Sequence, residues 1–473
     1  MNDSRVIEIA SELFADAQAL KQSGASNSST AAVTRERILD FAFEIYNLLL
    51  DPAELLRTHA SHANLISLHF IQRFNIATIV PVDAGISYAN IASACGQLEQ
   101  TVQRILRHAI GLQIFREERS SPSSDDAPLI YHTPASLLLR NPSYHAWMGA
   151  TCEESWPAAT RTVDALTAFP SASEPTESGW ALAHSTPPFP PSITSITAST
   201  SNQSKHTSYG ANDNETTTNN NISPSPSPPR KSLYDVIASS PARAARFSAG
   251  MSAYSSGPGY APDHFLRARG DLLARLPKGS EFVDVGGGLG HFARALGASG
   301  QCAHVNFVVQ DLEKVVCRAG DLQDGSSHGR LADDKGNGDG DEGQKKIVFQ
   351  AHDFFTPQPV RGAAVYFLRW ILHNWSDKYA VRILRNIGQA MDETSRLVIH
   401  DYCIEDLDGL SLRKRRAATN MDIGMMQLLN AQERDEAQWR ELLAKADPQF
   451  QWIGVTRPPG SALAIIEASW KEV

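Results

Sequence analysis

Residues 283–290 have the sequence Val-Asp-Val-Gly-Gly-Gly-Leu-Gly, and they connect an apolar run that begins at Phe282 to a helical pattern that begins near His291. Glycines allow a backbone to turn tightly and to approach a ligand closely. In open α/β sheets, cofactors bind at such turns, at the carboxyl ends of the strands. The stretch therefore predicts a strand, a turn and a helix at the ligand-binding edge of a parallel sheet.

Short apolar runs alternate with helical patterns throughout the C-terminal half. The strand candidates are Phe282–Val285, Val305–Val309, Ile347–Phe349, Ala364–Leu368 and Arg396–Ile399. Strands that alternate with helices form a mostly parallel sheet that the helices cover. The pattern predicts an α/β fold with a Rossmann-like domain over residues 230–473. A Gly- and Asp-rich stretch at 321–344, between two strand candidates, indicates a flexible surface insertion.

The order of the glycines discriminates between cofactors. A dinucleotide fingerprint has a glycine three residues after its second one, whereas His291 lies three residues after Gly288. A P-loop is excluded because no Gly-Lys-Ser/Thr follows. The order acidic-x-Gly-x-Gly-x-Gly, which starts at Asp284, resembles the first motif of class I S-adenosylmethionine-dependent methyltransferases. The resemblance implies that S-adenosylmethionine (SAM) is the cofactor and that Asp284, Gly286, Gly287 and Gly288 contact it.

Acidic residues follow the next two strand candidates. Asp311 lies about 20 residues past the glycines, where a carboxylate can accept both ribose hydroxyls. Its alternative role is to cap a helix. Asp353 can accept from the adenine amino group while its neighbour Phe354 covers the ring. An ordinary turn aspartate is the alternative for Asp353.

Residues 366–377 have the sequence Tyr-Phe-Leu-Arg-Trp-Ile-Leu-His-Asn-Trp-Ser-Asp. They resemble the signature of the plant- and fungal-type small-molecule O-methyltransferases, the caffeic acid and flavonoid O-methyltransferase superfamily. The resemblance covers residues 232–473 well and the N-terminal helical region weakly. It implies a class I methyltransferase domain that transfers a methyl group from SAM to a hydroxyl of a small aromatic acceptor. By resemblance, the insertions and the overall style of the sequence suggest a fungal secondary-metabolite enzyme with a phenolic, polyketide-like substrate.

In that family the histidine of this signature is the general base, which implies the same role for His373. A phenol has a pKa of about 10, so most of it is protonated near neutral pH. An imidazole with a pKa of about 6.5 can accept the proton as the oxygen attacks. A lone histidine is more often structural, so this hypothesis depends on the surrounding motif.

The family supports its histidine with two acidic residues. By position after the fifth strand candidate, the first is Asp401, where the family commonly has glutamate. Aspartate is one methylene shorter, so direct contact with His373 stays open. The second is Glu433, although the loop from Asn430 is two residues shorter than in many plant relatives. A solvated residue in the first turn of a helix is the alternative for Glu433.

The resemblance implies further ligand contacts. Arg369 occupies a position where relatives often carry a cofactor-binding lysine, and it keeps the charge but not necessarily the geometry. The residues that resemble the family's acceptor-binding positions are Met251, Tyr254, Asn374, Met421, Asp422, Met426 and Asn430. Methionines suit flat and varied acceptors because they repack readily. Core packing is the alternative for each methionine.

The N-terminal part divides into two segments. Residues 1–168 show mostly helical patterns and predict a helical domain. Residues 169–229 are rich in Ser, Thr, Pro and Asn. Such a segment cannot bury enough apolar surface to offset its ordering entropy, so we expect a disordered low-complexity linker.

Within the first segment, helix candidates precede a small hairpin. Thr101–Ile110 is the last of these helices, and Leu112–Phe115 is expected to pair with Leu129–Tyr131. This order suggests a winged helix, which can bind DNA. In the resembling family, however, this domain dimerises and closes the partner's acceptor pocket. We therefore expect a homodimer.

Composition excludes several classes of partner. The formal net charge is −9, and the compact basic cluster Arg413–Arg416 is too small for a phosphate-tracking surface. The five cysteines form no Cys-x-x-Cys pair, which argues against a zinc site and a disulfide framework. No run approaches the roughly 18 apolar residues of a membrane span. We expect a cytoplasmic protein that binds no metal, no nucleic acid and no membrane.

Three classes of function stay open. The first is an O-methyltransferase, the second is a catalytically weak cofactor-binding relative that acts as a regulatory or partner protein, and the third is a DNA-binding protein with a metabolite-sensing domain. The departures at Asp401 and Arg369 favour the second. The presence of His373 counts against it.

Overall fold

The computed structural model describes residues 3–22, 29–119, 127–185, 229–324 and 347–471. Most of the linker predicted at 169–229 and most of the insertion predicted at 321–344 lie outside these ranges. Within them, no helix is long and apolar enough to cross a membrane.

The N-terminal region is mainly helical. Its elements are α1 (Asp3–Gln22), α2 (Ser29–Leu49), α3 (Pro52–His59), α4 (Ala63–Arg73), α5 (Ile76–Ile79), β1 (Ile86–Ser87), α6 (Tyr88–Cys95), α7 (Glu99–Gly111), β2 (Phe115–Glu118), β3 (Leu129–His132), α8 (Pro134–Leu138), α9 (Pro142–Ala150), a π-helix (Thr151–Ser155), α10 (Trp156–Ala168), a 3-10 helix (Pro175–Glu177) and α11 (Gly179–His184).

Helices α4, α6 and α7 share one apolar core with a small antiparallel sheet of order β1-β3-β2. The winged-helix assignment of this region stays a prediction. The hairpin strand predicted to start at Leu112 starts at Phe115 instead. The reason is that α7 extends to Gly111 and that Gln113, with a φ of 61°, forms the turn between helix and strand.

The C-terminal region alternates strands and helices. Its elements are α12 (Leu233–Ala238), α13 (Pro241–Ser255), a 3-10 helix (Pro258–Tyr260), α14 (Pro262–Ala274), β4 (Glu281–Val285), α15 (His291–Ala298), a 3-10 helix (Gly300–Cys302), β5 (Asn306–Asp311), α16 (Glu313–Asp324), β6 (Ile347–Ala351), β7 (Val365–Arg369), a 3-10 helix (Leu372–Asn374), α17 (Asp377–Gly388), β8 (Arg396–Asp401), a 3-10 helix (Leu407–Gly409), α18 (Leu412–Leu429), α19 (Glu436–Ala446), β9 (Phe450–Thr456) and β10 (Ala464–Trp470).

The strands of this region that the structure describes form a seven-stranded sheet of order β6-β5-β4-β7-β8-β10-β9. The first five strands in that order pair in parallel, and β10 pairs antiparallel with both β8 and β9. The predicted α/β, Rossmann-like fold and its five strand candidates are confirmed. Strands β9 and β10 are absent from the prediction. Glu467 interrupts the apolar pattern of β10, and in the folded sheet its carboxylate pairs with Arg269 and Arg396.

The disordered linker was predicted to begin too early in the chain. Residues 175–184 form a 3-10 helix and α11, and Trp180 is 1% exposed in a cluster with Leu429 and Leu233. The short run Trp-Ala-Leu-Ala supplies this burial, although the segment around it is polar. The prediction of a flexible insertion from residue 321 is also wrong at its start, because 321–324 belong to α16.

The sheet determines where a ligand can bind. Strand β4 has β5 on one side and β7 on the other, so the chain changes direction across the sheet at this point. In open α/β sheets the crevice at such a switch point, beyond the carboxyl ends of the strands, receives the ligand. Asp311, Arg369 and Asp401 are the last residues of β5, β7 and β8. All three therefore lie at that edge.

Candidate active site

The glycine turn after β4 has the geometry that only glycine allows. Gly286 has a φ of 75°, and a Cβ atom there would lie 2.5 Å from Cδ1 of Ile371. At Gly287, a Cβ atom would lie 2.6 Å from the carboxyl carbon of Asp284. The backbone N–H of Gly288 donates to Oδ2 of Asp311 over 2.9 Å. The turn is thus fixed against the end of β5.

Asp284 is buried, and its Oδ2 atom has no hydrogen-bond partner among the described residues. Burial raises the pKa of this carboxyl to about 7, although the nearby Arg369 opposes the shift. Buried polar groups are normally hydrogen-bonded, so an orphaned carboxylate at this edge fits a ligand that carries positive charge or N–H donors. SAM carries both an ammonium and a sulfonium group. The residues present therefore fit this cofactor.

Asp311 and Asp353 flank the same crevice in different ways. The carboxylate of Asp311 accepts from the N–H groups of Gly288 and Leu312, so it braces the glycine turn. Asp353 is exposed, and its Oδ1 accepts from the N–H of Phe355, which is the turn contact that the alternative describes. Half-buried Phe354 borders the glycine turn, where its ring could cover an adenine.

Arg369 keeps the positive charge that the resemblance implies, and its guanidinium contacts other groups of the protein. Its Nη2 donates to the backbone oxygen of Tyr260 over 2.8 Å, and its guanidinium lies 4.8 Å from the ring centre of Phe292. Burial lowers the pKa of Arg369, while the charges of Asp284 and Asp401 oppose that shift. Its Nε has no partner among the described residues. Arg369 therefore lies between the cofactor edge and the catalytic group.

His373 lies in the 3-10 helix after β7 and contacts both predicted acidic residues. Its Nδ1 is 2.9 Å from Oε1 of Glu433. The same nitrogen is 3.7 Å from Oδ1 of Asp401, whose Oδ2 accepts from the backbone N–H of His373 over 3.2 Å. The shorter aspartate therefore holds the backbone of His373, and the glutamate holds its ring. A proton on Nδ1 satisfies Glu433 and leaves the lone pair on Nε2.

The electrostatics favour the protonated imidazole. Burial by itself lowers the pKa of His373, but Asp401 through its charge and Glu433 through its hydrogen bond and charge offset burial, and the pKa is raised. Burial raises the pKa of both carboxyls, and the charge of His373 opposes this. The three groups are thus arranged to stabilise a proton that His373 takes up.

Arg434 was not predicted from the sequence, and it joins the two loops that carry His373 and Glu433. Its side chain is fully buried and donates to the backbone oxygens of Leu372 and Trp375 over 3.0 and 2.8 Å. Its Nε and Nη2 donate to Oδ1 of Asp377. The one feature of the sequence that could have pointed to Arg434 is its position beside Glu433.

The structure groups some of the predicted acceptor-binding residues near His373. The hydroxyl of Tyr254, on α13, is 3.9 Å from Sδ of Met421, on α18. The carboxylate of Asp422 accepts from the N–H of Glu433 over 2.9 Å, so it holds the loop that carries Glu433. Met251, 37% exposed, lies one turn before Tyr254 on α13.

The remaining predicted acceptor residues have partners within the protein. The amide of Asn374 donates to the backbone oxygen of Trp370 over 2.8 Å. Asn430 ends α18 with a φ of 52°, and its amide donates to the backbone oxygen of Glu174 over 2.9 Å. Met426 is half-buried on the last turn of α18. The acceptor roles of these three residues stay predictions, and their observed contacts are structural.

His373, Asp401 and Glu433 also lie close enough to share a metal ion, since one potential ligand atom from each falls within 4.8 Å of the others. Their observed contacts are hydrogen bonds to one another and to backbone N–H groups. The absence of a metal stays a prediction.

Comparison with known proteins identifies the family. Residues 229–448 match the O-methyltransferase domain family. The chain is 33% identical to the chlorophenol O-methyltransferase of Trichoderma longibrachiatum, over 93% of this chain and 80% of the relative. It is 32% identical to the O-methyltransferase pgmB of Aspergillus terreus, over 92% of this chain and 84% of the relative.

Solved structures share the fold. OxaC in complex with SAH and oxaline superposes with a TM-score of 0.71 at 19% identity, and the match covers 100% of both chains. LepI in complex with SAM superposes with a TM-score of 0.68 at 22% identity, over 98% of this chain and 100% of LepI. With the sequence relatives and the SAM-compatible edge of the sheet, these findings place the chain in the O-methyltransferase family, as a SAM-dependent O-methyltransferase of secondary metabolism.

Proposed function

We propose that the enzyme methylates a hydroxyl of a small aromatic acceptor, with His373 as the general base. The observation that supports this most directly is the 2.9 Å contact between Nδ1 of His373 and Glu433. The contact fixes the tautomer in which Nε2 is the basic atom, and Asp401 holds the backbone of the same residue. The presence of this buried, paired imidazole counts against the alternative of a catalytically weak regulatory relative.

The proposed chemistry needs one proton transfer and one substitution. Bound SAM supplies an electrophilic methyl group on its sulfonium. Nε2 of His373 takes the proton from the acceptor hydroxyl, because the phenolate is the stronger nucleophile. Transfer of the methyl group to that oxygen would break the bond from sulfur to the methyl carbon and would release S-adenosylhomocysteine as the leaving group. Glu433 and Asp401 stabilise the imidazolium that forms. A water molecule then removes the proton after product release.

An aromatic acceptor is favoured by the side chains around His373. The indole of Trp370 lies nearly parallel to the imidazole at 6.4 Å between ring centres, and Tyr254 packs against that indole at 5.6 Å. Met421 contacts the hydroxyl of Tyr254. Such a wall of flat rings and a methionine suits a flat acceptor. The name of the Trichoderma relative, a chlorophenol O-methyltransferase, supports a phenolic hydroxyl as the target.

Cofactor binding is the first test of the proposal. We expect calorimetric titration with SAM or SAH to give micromolar affinity for the wild type and a loss of most binding for Asp311→Ala. Asp164→Ala, which changes an exposed carboxylate of α10, is the matched control. Phenolic acceptors are then screened by mass spectrometry, with and without EDTA. Turnover that is unchanged by EDTA supports the metal-free mechanism, and turnover of no phenol contradicts the proposed acceptor class.

We further propose that residues 1–168 form a dimerisation domain. Large apolar side chains lie exposed on α1, α2 and α3, among them Ile7, Phe14, Leu49 and Leu56. Exposed apolar side chains mark an interaction surface where they form a contiguous patch, and we propose that these side chains form one at the dimer interface. Sedimentation equilibrium of the wild type should give twice the chain mass. A monomer at the concentrations used for activity assays would contradict a functional homodimer.

A cytoplasmic location is proposed for the enzyme. The five cysteines, all of which lie among the described residues, form no disulfide, and Cys152 and Cys302 are buried. Reduced cysteines are usual in the cytosol, where disulfides are rare. Fluorescence from a tagged chain at another cellular site would contradict this proposal.

A further inference from the structure

Three tyrosine hydroxyls meet beside His373. The hydroxyl of Tyr402 lies 2.5 Å from that of Tyr260 and 3.5 Å from that of Tyr254. The ring centre of Tyr402 is 6.3 Å from that of His373. Tyr254 comes from α13, Tyr260 from the following 3-10 helix and Tyr402 from the residue after β8. We call Tyr254, Tyr260 and Tyr402 the tyrosine cluster.

The hydrogen-bonding capacity of the tyrosine cluster exceeds the contacts within it. Each hydroxyl carries one proton and can accept at two lone pairs. Two hydroxyl-to-hydroxyl contacts use two of the three protons. Among the described residues, the other acceptor at the cluster is the weak acceptor Sδ of Met421, 3.9 Å from the hydroxyl of Tyr254. All three tyrosines are half-buried, so they are not sealed in the core. The cluster therefore retains a donor for an oxygen atom of a ligand.

Burial raises the pKa of Tyr254 and of Tyr402. For Tyr402, the neighbouring Tyr254 and Tyr260 raise it further. These hydroxyls consequently stay protonated at neutral pH and act as donors. A ligand group that matches them is an acceptor oxygen, such as a carbonyl or a second hydroxyl.

Trp370 connects the tyrosine cluster to the catalytic base. The centre of its ring lies 5.6 Å from that of Tyr254, 5.0 Å from that of Tyr260 and 6.4 Å from that of His373. Trp370 has a φ of 57°, a conformation that is costly for a bulky residue and that persists only where the surroundings enforce it. The cluster and the base thus belong to one rigid wall, at a fixed separation.

We propose that the tyrosine cluster is a second recognition point for the acceptor, which binds an oxygen other than the one that is methylated. The inference rests on the proposed function and narrows it. The preferred acceptors are aromatic compounds with at least two oxygen substituents, one at His373 and one at the cluster. Sites that hydrogen-bond a substrate oxygen reject analogues without it more strongly than apolar pockets discriminate by size.

The test compares acceptors that differ by one oxygen. A monochlorophenol, a chlorohydroquinone and a chloro-hydroxyacetophenone are assayed with the wild type, Tyr402→Phe, Tyr260→Phe and the control Tyr131→Phe. Tyr131 lies on β3, outside the tyrosine cluster. We expect Tyr402→Phe to lower kcat/KM about tenfold for the two dioxygenated acceptors, the factor for one lost hydrogen bond worth about 1.4 kcal/mol. For the monochlorophenol we expect a change of less than about twofold.

The outcomes separate this inference from the function on which it rests. A wild type that methylates none of the phenols refutes the proposed function. A wild type that methylates all three, with equal losses for each acceptor in Tyr402→Phe, refutes the recognition role and leaves the function standing. Tyr260→Phe repeats the test if Tyr402→Phe does not fold, since it removes the hydroxyl at 2.5 Å and leaves the residue after Asp401 unchanged. Acceptor-selective loss in either variant, with unchanged SAM affinity, supports the role.

Discussion

The two halves of the active site are held in place by different means. At the cofactor edge, Asp311 binds the backbone N–H of Gly288, and both lie at the ends of adjacent parallel strands. At the proposed base, His373 and Glu433 are 60 residues apart in sequence and meet through their side chains. Buried Arg434 ties their loops together. The cofactor half therefore depends on sheet geometry, whereas the base depends on long-range polar contacts, and changes in one half should spare the other.

The largest expected effect comes from the base itself. His373→Ala should lower kcat by roughly 10²- to 10⁴-fold, because proton removal from the acceptor then has no positioned group. The affinity for SAM should stay near that of the wild type, since His373 makes no contact with the glycine turn or Asp311. His59→Ala, on exposed α3, is the control. Stopped-time assays by mass spectrometry and calorimetry measure the two quantities. Undiminished turnover would remove histidine from the mechanism.

Substitution of Arg434 is the most direct test of whether the two halves of the active site are independent. Arg434→Met should destabilise the protein by about 3 kcal/mol, because it leaves the backbone oxygen of Leu372 and the carboxylate of Asp377 without their buried partner. It should also lower kcat by loosening the loop of Glu433. Arg434→Lys should recover only part of both losses, since an ammonium lacks the guanidinium fork.

Denaturant unfolding, turnover and SAM titration are compared for the two Arg434 variants. The halves are independent if turnover falls while the dissociation constant for SAM changes by less than about twofold. An equal fall in both would mean that the loops also organise the cofactor edge.

The same contrast explains what the sequence could predict. The glycine turn, Asp311 and the five parallel strands are predictable because each depends on a local pattern: an apolar run, a turn and the residue at a strand end. Glu433 was reached only through the family resemblance. Arg434 and Tyr402 were missed, because nothing local distinguishes a buried arginine or a clustered tyrosine from an exposed one. Their partners lie in distant segments.

One wrong boundary and one open question have related causes. The composition of 169–229 predicts disorder, yet four residues around Trp180 are buried against α10 and α18. This burial depends on distant segments, so composition alone does not predict it. For Asp401, the short side chain left contact with His373 open. In the structure, Oδ2 of Asp401 accepts from the backbone N–H of His373, and Oδ1 lies 3.7 Å from Nδ1 of the ring.

The two carboxylates of the base should differ in weight. Glu433→Gln should lower kcat by about 10- to 100-fold, and Asp401→Asn should lower it by a smaller factor. The reason is that Glu433 supplies both a charge and the hydrogen bond at 2.9 Å to His373. The base must be neutral to act, so kcat/KM rises as the pH rises through the pKa of His373. The charge of Asp401 and the hydrogen bond and charge of Glu433 raise that pKa against burial, so Glu433→Gln should move the acid limb of the profile to lower pH.

Both variants keep a side chain of the same size, so pH–rate profiles from about pH 5 to 9 isolate the charge. If Asp401→Asn costs more and moves the limb further, the charge of Asp401 outweighs the direct contact of Glu433. In that case the loop before α19 would be a positioning element only.

The smallest expected effect concerns a second histidine, which lies beneath the site and has no catalytic partner. His400, on β8, is buried among Phe265, Phe292 and Phe367, and neither ring nitrogen has a partner among the described residues. Burial, with Arg369 and His264, holds its pKa well below the usual value. Above pH 6.5 both the folded and the unfolded states are neutral there. As the pH falls below 6.5, His400 becomes protonated in the unfolded state but stays neutral in the folded state, so the free energy of unfolding decreases.

His400→Leu removes this proton linkage and two unpaired polar atoms. The variant should therefore lose less stability than the wild type between pH 7.5 and 5.5, by up to about 1 kcal/mol. Thermal midpoints at the two pH values measure the difference, with His59→Leu as the surface control. Parallel midpoints for the wild type and His400→Leu would mean that His400 gains a proton or a partner in the folded state. Because His400 lies next to Asp401, an unpaired imidazole that stays neutral avoids placing a second positive charge beside the one that forms on His373.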